Sequence, residues 1–251
     1  MEKITSRKNQ FIAHVRSLAG DKEYRNVHGE YICDGIKTLR EAVQFGAEIT
    51  SILWKEVPAG VDVIGNVRQY TAPEELFDYA SPMKNSPGPL FTVRIPTRTP
   101  ARVRNAVILE GVQDPGNVGT VIRTANAFGI GAVVLTENCA DLYNAKTVRS
   151  TMGAIFRQNV IELCEKDIPQ WLRENGLKLY GAALSEKAGD IRDIDVTASA
   201  VAIGSEGRGL SREFLDMCDG ELIIPMRPDS ESLNAAVAAS VVMWEMSRAE
   251  L

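Results

Sequence analysis

Five short apolar segments, each followed by a glycine-containing turn and a helical pattern, constrain the fold more than any other feature of this sequence. They are AVILE at 106, AVVLT at 132, LKLYGAAL at 177, AVAIG at 200 and ELIIP at 221. Strands that alternate with helices pair in parallel, because each crossover returns the chain to the same end of the sheet. The second part of the chain is therefore predicted to be an α/β domain with a mostly parallel sheet.

A proline-rich segment from Ser81 to Pro100 separates this region from the N-terminal part. Proline fixes its own φ and lacks an amide donor, so the segment favours an extended connection with one edge strand at Leu90–Ile95. Three regions are expected: a smaller α/β or α+β domain over 1–85, a linker over 86–104 and the larger domain over 105–251. In the smaller domain the pattern predicts helices at 8–18 and from 36, and strands at 31–33 and 49–54.

Several protein classes are excluded by what the chain lacks. The N-terminus is charged throughout, and the longest apolar stretch, 235–246, falls short of the roughly 20 residues that a membrane span needs. The four cysteines have no CxxC spacing, which favours reduced thiols in a cytoplasmic protein over disulfides or zinc. The two histidines, His14 and His28, lie in no ligand or base motif, so Ser-His-Asp hydrolases and histidine-rich metal enzymes are excluded.

The first of three polar motifs at strand ends is EGVQDPGNVGTVIRTANAFG. A helix is predicted to begin here, capped by Asp114 or Asn117. The residues that recur at helical spacing as its buried stripe are Val118, Ile122, Ala125 and Phe128. Arg123 lies off this stripe, beside the carboxyl edge of the sheet, where open α/β sheets bind ligands. Taken alone, such an arginine is a solvated helix charge.

The second motif, AIGSEGRGLS, places three glycines within six residues, which allows close approach of backbone segments. The order GxxGxG is the reverse of the dinucleotide-binding GxGxxG, and no Walker lysine follows, so a phosphate cradle is not indicated. Glu206 in this turn can orient a cation or a hydroxyl group, although a glutamate in a turn is more often a simple surface charge.

The third motif is IIPMRPDSESLNAAVAASVVMWEM, in which a strand is predicted to end at Pro225 and a helix to begin near Ser232, with Asn234 just inside it. One stripe of this helix consists of Leu233, Val237, Val241 and Trp244, and alanine, valine and methionine cover the opposite side. A helix that is apolar all round must be buried all round. This predicts a homodimer formed through the larger domain.

In this order and at these separations, DPGNVGTVIRTANAFG, IGSEGRGLS and IPMRPDSESLN resemble the SpoU/TrmH family of RNA ribose methyltransferases, over about residues 105–248. NAKTVRSTMGAIFR at 144–157 is similar to the family's region between the first two signatures. ITSRKNQFIAHVRSL and GEYICDGIKTLREAVQFG look like the L7Ae/L30-like substrate-binding domain often joined to it. One departure is Arg227-Pro228, which stands where a glycine often follows IPM.

The resemblance implies an α/β (SPOUT) knot, in which the C-terminal segment threads through a loop to form a pocket for S-adenosylmethionine. The residues that correspond to the adenosyl-binding positions are Ala182, Gly204, Ile224 and Leu233. Those that match the polar catalytic positions are Asn117, Arg123, Glu206, Ser232 and Asn234.

An uneven charge distribution agrees with a polyanionic partner for the smaller domain. Lys and Arg exceed Asp and Glu by 15 to 12 through Arg104, whereas acidic residues exceed basic ones by 21 to 13 afterwards. Under the resemblance the partner is RNA, and binding should weaken with salt. The predicted phosphate contacts are Lys3, Arg7, Lys8, Arg16 and Arg25; a solvated basic face would give the same pattern.

The implied reaction transfers a methyl group from S-adenosylmethionine to a ribose 2′-hydroxyl, with ribosomal RNA favoured, and leaves S-adenosylhomocysteine without needing a metal. We assign Arg123 to stabilise the forming alkoxide, since arginine, with a pKa above about 12, is a poor base; proton acceptance is the alternative role. Three other functions stay open: a methyltransferase for tRNA ribose, one for an RNA base, or a non-catalytic RNA-binding or assembly protein. A nicotinamide oxidoreductase is disfavoured because GxGxxG is missing.

Overall fold

A computed structural model describes residues 1–55, 67–97, 102–227 and 232–248. The chain forms two compact units, one of Met1–Thr99 with Asp141–Phe156 and the other of Pro100–Ala140 with Arg157–Leu251. Within the described ranges, every helix is too short or too polar to cross a membrane.

The first unit is a five-stranded sheet with helices packed against it. Its elements are β1 (Glu2–Lys3), α1 (Gln10–Gly20), α2 (Lys22–His28), β2 (Glu30–Asp34), α3 (Ile36–Gln44), β3 (Ile49–Trp54), β4 (Arg68–Thr71), α4 (Glu74–Ala80), β5 (Leu90–Arg94) and, after the second unit has begun, α6 (Ala145–Ser150). The strand order is β1-β4-β3-β5-β2, and β5 is antiparallel to both of its neighbours. Ile12, Val15 and Leu18 of α1 supply one side of the buried core.

Strand β5 lies between β3 and β2. The strand predicted within the 86–104 linker therefore exists, but the prediction that it lies at an edge of the sheet is wrong. The residues from Leu90 to Val93 are fully buried. Pro89 and Pro96 flank the strand, and all five of its residues keep the amide donors that an interior strand needs. The prolines therefore bound a central strand instead of excluding one.

Residues 141–156 belong to the first unit, although they follow strands of the second unit in the sequence. Arg25 of α2 forms an ion pair with Asp141, and its side chain is only 3% exposed. The rings of Tyr31 and Tyr143 also pack together, with centroids 4.7 Å apart. This segment lies inside the range that the sequence assigns to the larger domain, so the compact units do not follow chain order.

The second unit is an α/β layer structure around a seven-stranded sheet of described residues. Its elements are β6 (Ala106–Leu109), α5 (Pro115–Ala127), β7 (Ala132–Leu135), β8 (Val160–Glu162), α7 (Ile168–Asn175), β9 (Lys178–Ala182), β10 (Gly189–Asp190), β11 (Ser199–Ile203), α8 (Arg212–Asp216), β12 (Gly220–Ile223) and α9 (Ala235–Ser247). The order is β10-β12-β9-β11-β6-β7-β8.

Every strand pair of this second sheet is parallel, which confirms the predicted fold class. The five apolar segments of the sequence form β6, β7, β9, β11 and β12. The strands β8 and β10 have three and two residues, and they are too short to give a sequence pattern. Because all strands run the same way, the loops after β9, β11 and β12 meet at one edge of the sheet.

Candidate active site

A cavity of about 570 Å³ opens at this carboxyl edge of the second sheet. Loops after β9, β11 and β12 and the start of α9 form its walls. All four residues assigned to adenosyl binding line it, namely Ala182, Gly204, Ile224 and Leu233. Glu206 and Ser232, from the predicted catalytic set, line it as well. The second and third sequence motifs thus contribute to one cavity, together with the end of β9.

The glycine-rich loop after β11 folds tightly back on itself beside this cavity. The Gly209 amide donates to the Ser205 carbonyl at 2.9 Å. A Cβ atom on Gly204 would lie 2.0 Å from the carbonyl carbon of Gly209 and 2.3 Å from the Leu210 amide nitrogen. Such distances are impossible for non-bonded atoms, so residue 204 must be glycine for the loop to close in this way.

Glu110, which the sequence analysis missed, holds both ends of that loop. Its amide donates to the carbonyl of Ile203 at 2.9 Å, just before the loop, and its Oε2 accepts from the Ser211 amide at 2.9 Å, just after it. The side chain is 8% exposed. A glutamate that ends an apolar strand, as in AVILE, is the only signal the sequence contains, and the distant partner at 211 is not visible in it.

The surroundings of Glu110 are acidic. Desolvation raises the pKa of the nearby Glu165 carboxyl, and repulsion from Glu110, Glu137 and Glu213 raises it further. Desolvation likewise raises the pKa of Cys218 to about 12, with smaller contributions from acidic neighbours that include Glu110. This thiol therefore stays protonated at neutral pH and is not a nucleophile.

Three predicted polar residues from three separate motifs share one hydrogen-bond network. Asn117 Nδ2 donates to Glu206 Oε1 at 2.7 Å, and Asn234 Nδ2 donates to the same oxygen. Asn234 Nδ2 also donates to Asn117 Oδ1 at 3.2 Å. Glu206 Oε2 accepts no hydrogen bond from any residue in the described part of the chain, so one carboxylate oxygen is left for another donor.

The residues at the start of α9 lie differently from the prediction. The helix begins at Ala235, and Asn234 is its N-cap instead of its first inner residue. Its Oδ1 accepts from the amides of Ala236 and Val237 at 2.9 and 3.2 Å, which satisfies two donors at the helix end. Ser232 precedes the cap and is exposed. Arg227-Pro228 stands where the family often has a glycine. Arg227 is exposed, and Pro228 lies outside the described residues.

Arg123 lies apart from this network within the single chain. It is on the exposed side of α5, whose buried side includes Val118, Ile122 and Ala125 as predicted. It does not line the cavity. Helix α5 packs against α9, and the Phe128 and Trp244 rings meet edge to face with centroids 5.7 Å apart.

The basic residues of the first unit divide into two groups. Lys3, Arg7, Lys8 and Arg16 are exposed, as phosphate contacts require. The prediction for Arg25 is wrong, because this side chain is buried against Asp141 and also donates to the Leu18 carbonyl at 2.6 Å. Among the residues described, no cluster of three His, Cys, Asp or Glu side chains is arranged to hold a metal ion.

The second unit and its polar motifs match a known protein family. Residues 104–244 match the model of the SpoU rRNA Methylase family, more than half of the chain. The chain belongs to the SpoU rRNA Methylase family. The first two polar motifs, the third as far as Trp244 and the whole hydrogen-bond network fall within the matched region.

Full-length relatives extend the family match to the first unit. A 23S rRNA (guanosine(2553)-2′-O)-methyltransferase of Bacillus subtilis is 31% identical, over 98% of this chain and 99% of that protein. A 23S rRNA (uridine(2479)-2′-O)-methyltransferase of Streptomyces viridochromogenes is 28% identical, over 98% of this chain and 92% of its own length.

Solved structures agree with these sequence relationships. The AdoMet-bound rRNA methyltransferase of Sinorhizobium meliloti has a TM-score of 0.87 at 25% identity and covers 100% of this chain and 98% of its own. The SpoU methyltransferase AviRb of Streptomyces viridochromogenes, in complex with AdoMet, has a TM-score of 0.86 at 25% identity, over 96% of this chain and 98% of its own. Both units of this SpoU family member therefore have the family's fold.

Proposed function

We propose that this protein is an S-adenosylmethionine-dependent methyltransferase that modifies a ribose 2′-hydroxyl of ribosomal RNA. The relatives named as 23S rRNA 2′-O-methyltransferases support both the reaction and the RNA class. The observation that carries the proposal is the cavity at the sheet edge, which is lined by the predicted adenosyl-binding residues and bordered by the Asn117–Glu206–Asn234 network.

The cavity fits S-adenosylmethionine in its size and in its lining. Its volume of about 570 Å³ lies in the range of pockets for small ligands and cofactors. Backbone at Gly204, where a Cβ is excluded, lies beside apolar side chains of Ile224 and Leu233, an arrangement suited to a flat adenine ring. When bound, the cofactor supplies a methyl group activated by a positively charged sulfur.

The protein's own residues then orient the ribose and stabilise charge. Glu206 Oε1 is held by two amides, which fixes the carboxylate and leaves Oε2 to accept a ribose hydroxyl proton in a hydrogen bond. Ser232, at the cavity wall, offers a hydroxyl to the same region. The guanidinium of Arg123 stabilises negative charge that develops on the 2′-oxygen as its proton passes to solvent water.

Arg123 reaches the reacting oxygen in a homodimer. In the single chain it is exposed and outside the cavity lining, on a helix that packs against α9. The α9 side chains Val237, Val241 and Trp244 are exposed and apolar, and a second copy of the chain would cover them.

The proposal also includes two features that the family resemblance implies or the sequence predicts. They are the knot around the cofactor site and the cytoplasmic location.

The first unit contributes RNA affinity in this proposal, as the predicted substrate-binding domain. Lys3, Arg7, Lys8 and Arg16 are exposed on it and available to phosphates. Arg25 is left out, because its charge is compensated by Asp141.

The proposal is tested by methyl transfer from labelled S-adenosylmethionine to ribosomal RNA isolated from cells that lack this protein. Digestion to nucleosides should yield a 2′-O-methylated nucleoside. A base-methylated product would contradict the ribose assignment, modification of tRNA alone would contradict the RNA class, and no transfer to any RNA would favour a non-catalytic RNA-binding protein.

The role of Arg123 is tested by Arg123→Lys, which keeps the charge and removes the planar fork. We expect kcat to fall about 100-fold, as for loss of one charge-stabilising donor, with unchanged affinity for S-adenosylmethionine by calorimetry. Arg212→Lys is the matched control, since Arg212 is an exposed arginine of the same unit that pairs with Asp216. Full turnover by Arg123→Lys would refute the assignment.

A further inference from the structure

Two arginines of the first unit lie against one tyrosine ring. The guanidinium carbon of Arg16, on α1, is 4.1 Å from the ring centroid of Tyr79, on α4, and that of Arg7 is 4.6 Å from the same centroid. Arg16 Nη1 also donates to the Tyr79 carbonyl. Cation–π contact with the ring holds both side chains although both are exposed, and the hydrogen bond further fixes Arg16.

No carboxylate among the described residues compensates this pair of charges. Neither Arg7 nor Arg16 has an Asp or Glu oxygen of that part of the chain within 4.0 Å of its nitrogens. The nearby α4 carboxylates of Glu74 and Asp78 pair with Lys55 instead. Two like charges fixed at one ring repel each other, and an anion that binds both removes that repulsion.

We propose that Arg7, Arg16 and Tyr79 form a preorganised binding site for a backbone phosphate of RNA. Tyr79 orients the two guanidiniums, and their remaining N–H donors match the tetrahedral oxygens of a phosphate. The inference rests on the proposed function for its choice of polyanion, and it adds a defined site and a positioning residue, Tyr79, that no sequence motif indicates.

The site is tested by fluorescence anisotropy with a labelled single-stranded oligouridylate of about ten nucleotides, titrated at several salt concentrations. Tyr79→Leu removes the ring and should weaken binding about tenfold, and the slope of log K against log salt should fall by about 0.7 for each lost phosphate contact. Tyr79→Phe keeps the ring and should bind as the wild type does, with the same slope. Arg7→Ala and Arg16→Ala should each reproduce part of the Tyr79→Leu effect.

Arg94→Ala is the matched control, because it removes the same charge from the same unit. Arg94 is compensated by Glu48 and Glu30, at 3.3 and 3.7 Å, so its loss should change neither the affinity nor the slope. Unchanged binding by Tyr79→Leu would overturn the proposal, as would an equal loss in Arg94→Ala, which would indicate general charge attraction. Loss of binding in Tyr79→Phe would also overturn it.

Two further measurements separate this inference from the proposed function. Far-UV circular dichroism and thermal unfolding of each variant confirm that the first unit is folded. S-adenosylmethionine affinity, measured by calorimetry, should be unchanged by Tyr79→Leu, since the cavity lies wholly in residues of the second unit. If no RNA is methylated but oligouridylate binding still depends on Tyr79, the proposed reaction fails and the phosphate site stands.

Discussion

A methyl group added at residue 204 has no free space. A Cβ there would lie 2.0 and 2.2 Å from the carbonyl carbon and oxygen of Gly209, both backbone atoms that cannot rotate away. Gly204→Ala must therefore open the loop and reshape the cavity wall. We expect S-adenosylmethionine affinity, measured by calorimetry, to fall about tenfold or more, which corresponds to about 1.4 kcal/mol or more.

The matched control is Gly20→Ala, at the end of α1. A Cβ added at residue 20 would meet no neighbouring heavy atom within 4 Å, and the residue has no positive φ, so an alanine fits there without strain. Wild-type cofactor affinity in Gly204→Ala would contradict the close backbone approach at this loop.

Single residues also show where sequence reasoning ends. The polar residues Asn117, Glu206 and Asn234 could be predicted as one set only through the family resemblance of their motifs, since each alone looks like a helix cap or a surface charge. The burial of Arg25 could not, since its partner Asp141 is 116 residues away along the chain. In a sequence, a basic residue that is paired with a distant carboxylate, such as Arg25, looks the same as one that is not. Arg7 has no such carboxylate partner among the described residues.

At the scale of elements, Glu110 connects the end of strand β6 to both ends of the glycine-rich loop after β11. Its backbone amide bonds to Ile203, and its buried carboxylate bonds to Ser211. Glu110→Ala leaves the Ser211 amide without its acceptor and frees the loop that carries Glu206. Loss of a buried acceptor costs about 1–3 kcal/mol, so we expect KM for S-adenosylmethionine to rise about tenfold. Glu110→Gln keeps an acceptor oxygen and should restore KM to near the wild-type value.

Glu137→Ala is the control that distinguishes positioning of the loop by Glu110 from a general effect on the stability of the protein. Glu137 is an exposed carboxylate of the same acidic region, and its Oε2 accepts from the Glu165 amide at 2.9 Å, away from the loop. Its loss should leave KM unchanged. The positioning role of Glu110 is wrong if Glu110→Ala lowers the melting temperature but keeps the wild-type KM, or if Glu110→Gln fails to restore it.

Strands could be predicted from the sequence where a local hydrophobic pattern was enough to define them. The strand β3 has the predicted bounds Ile49–Trp54, and all five apolar segments of the larger region are parallel strands. The interior position of β5 was not predictable, because strand order depends on pairing between distant segments and prolines at both ends resemble an edge. The same holds for residues 141–156, since a short helical pattern does not show which core will bury it.

At the scale of the whole molecule, one face of α9 is apolar and exposed in the described part of the single chain. Ala239, Val242 and Met246 on one side are fully buried, whereas Val237 and Trp244 on the other are 48% and 50% exposed. Exposed apolar residues in a continuous stripe favour association with another protein surface. We propose that a second copy of the chain covers this face, which would also bring Arg123 to a cavity that it does not line in its own chain.

Val241→Glu places a charge in the middle of that stripe and should convert a dimer into a monomer, measured by sedimentation at micromolar concentration. We expect methyl transfer to fall with dimer content, because Arg123 would no longer reach the ribose, whereas the folded monomer should keep its circular dichroism spectrum. Val27→Glu is the control: this α2 residue of the first unit is already 76% exposed, so the same substitution should leave mass and activity unchanged. A wild-type protein that sediments as a monomer would contradict the dimer, and a monomeric Val241→Glu variant with full activity would show that Arg123 does not act across an interface.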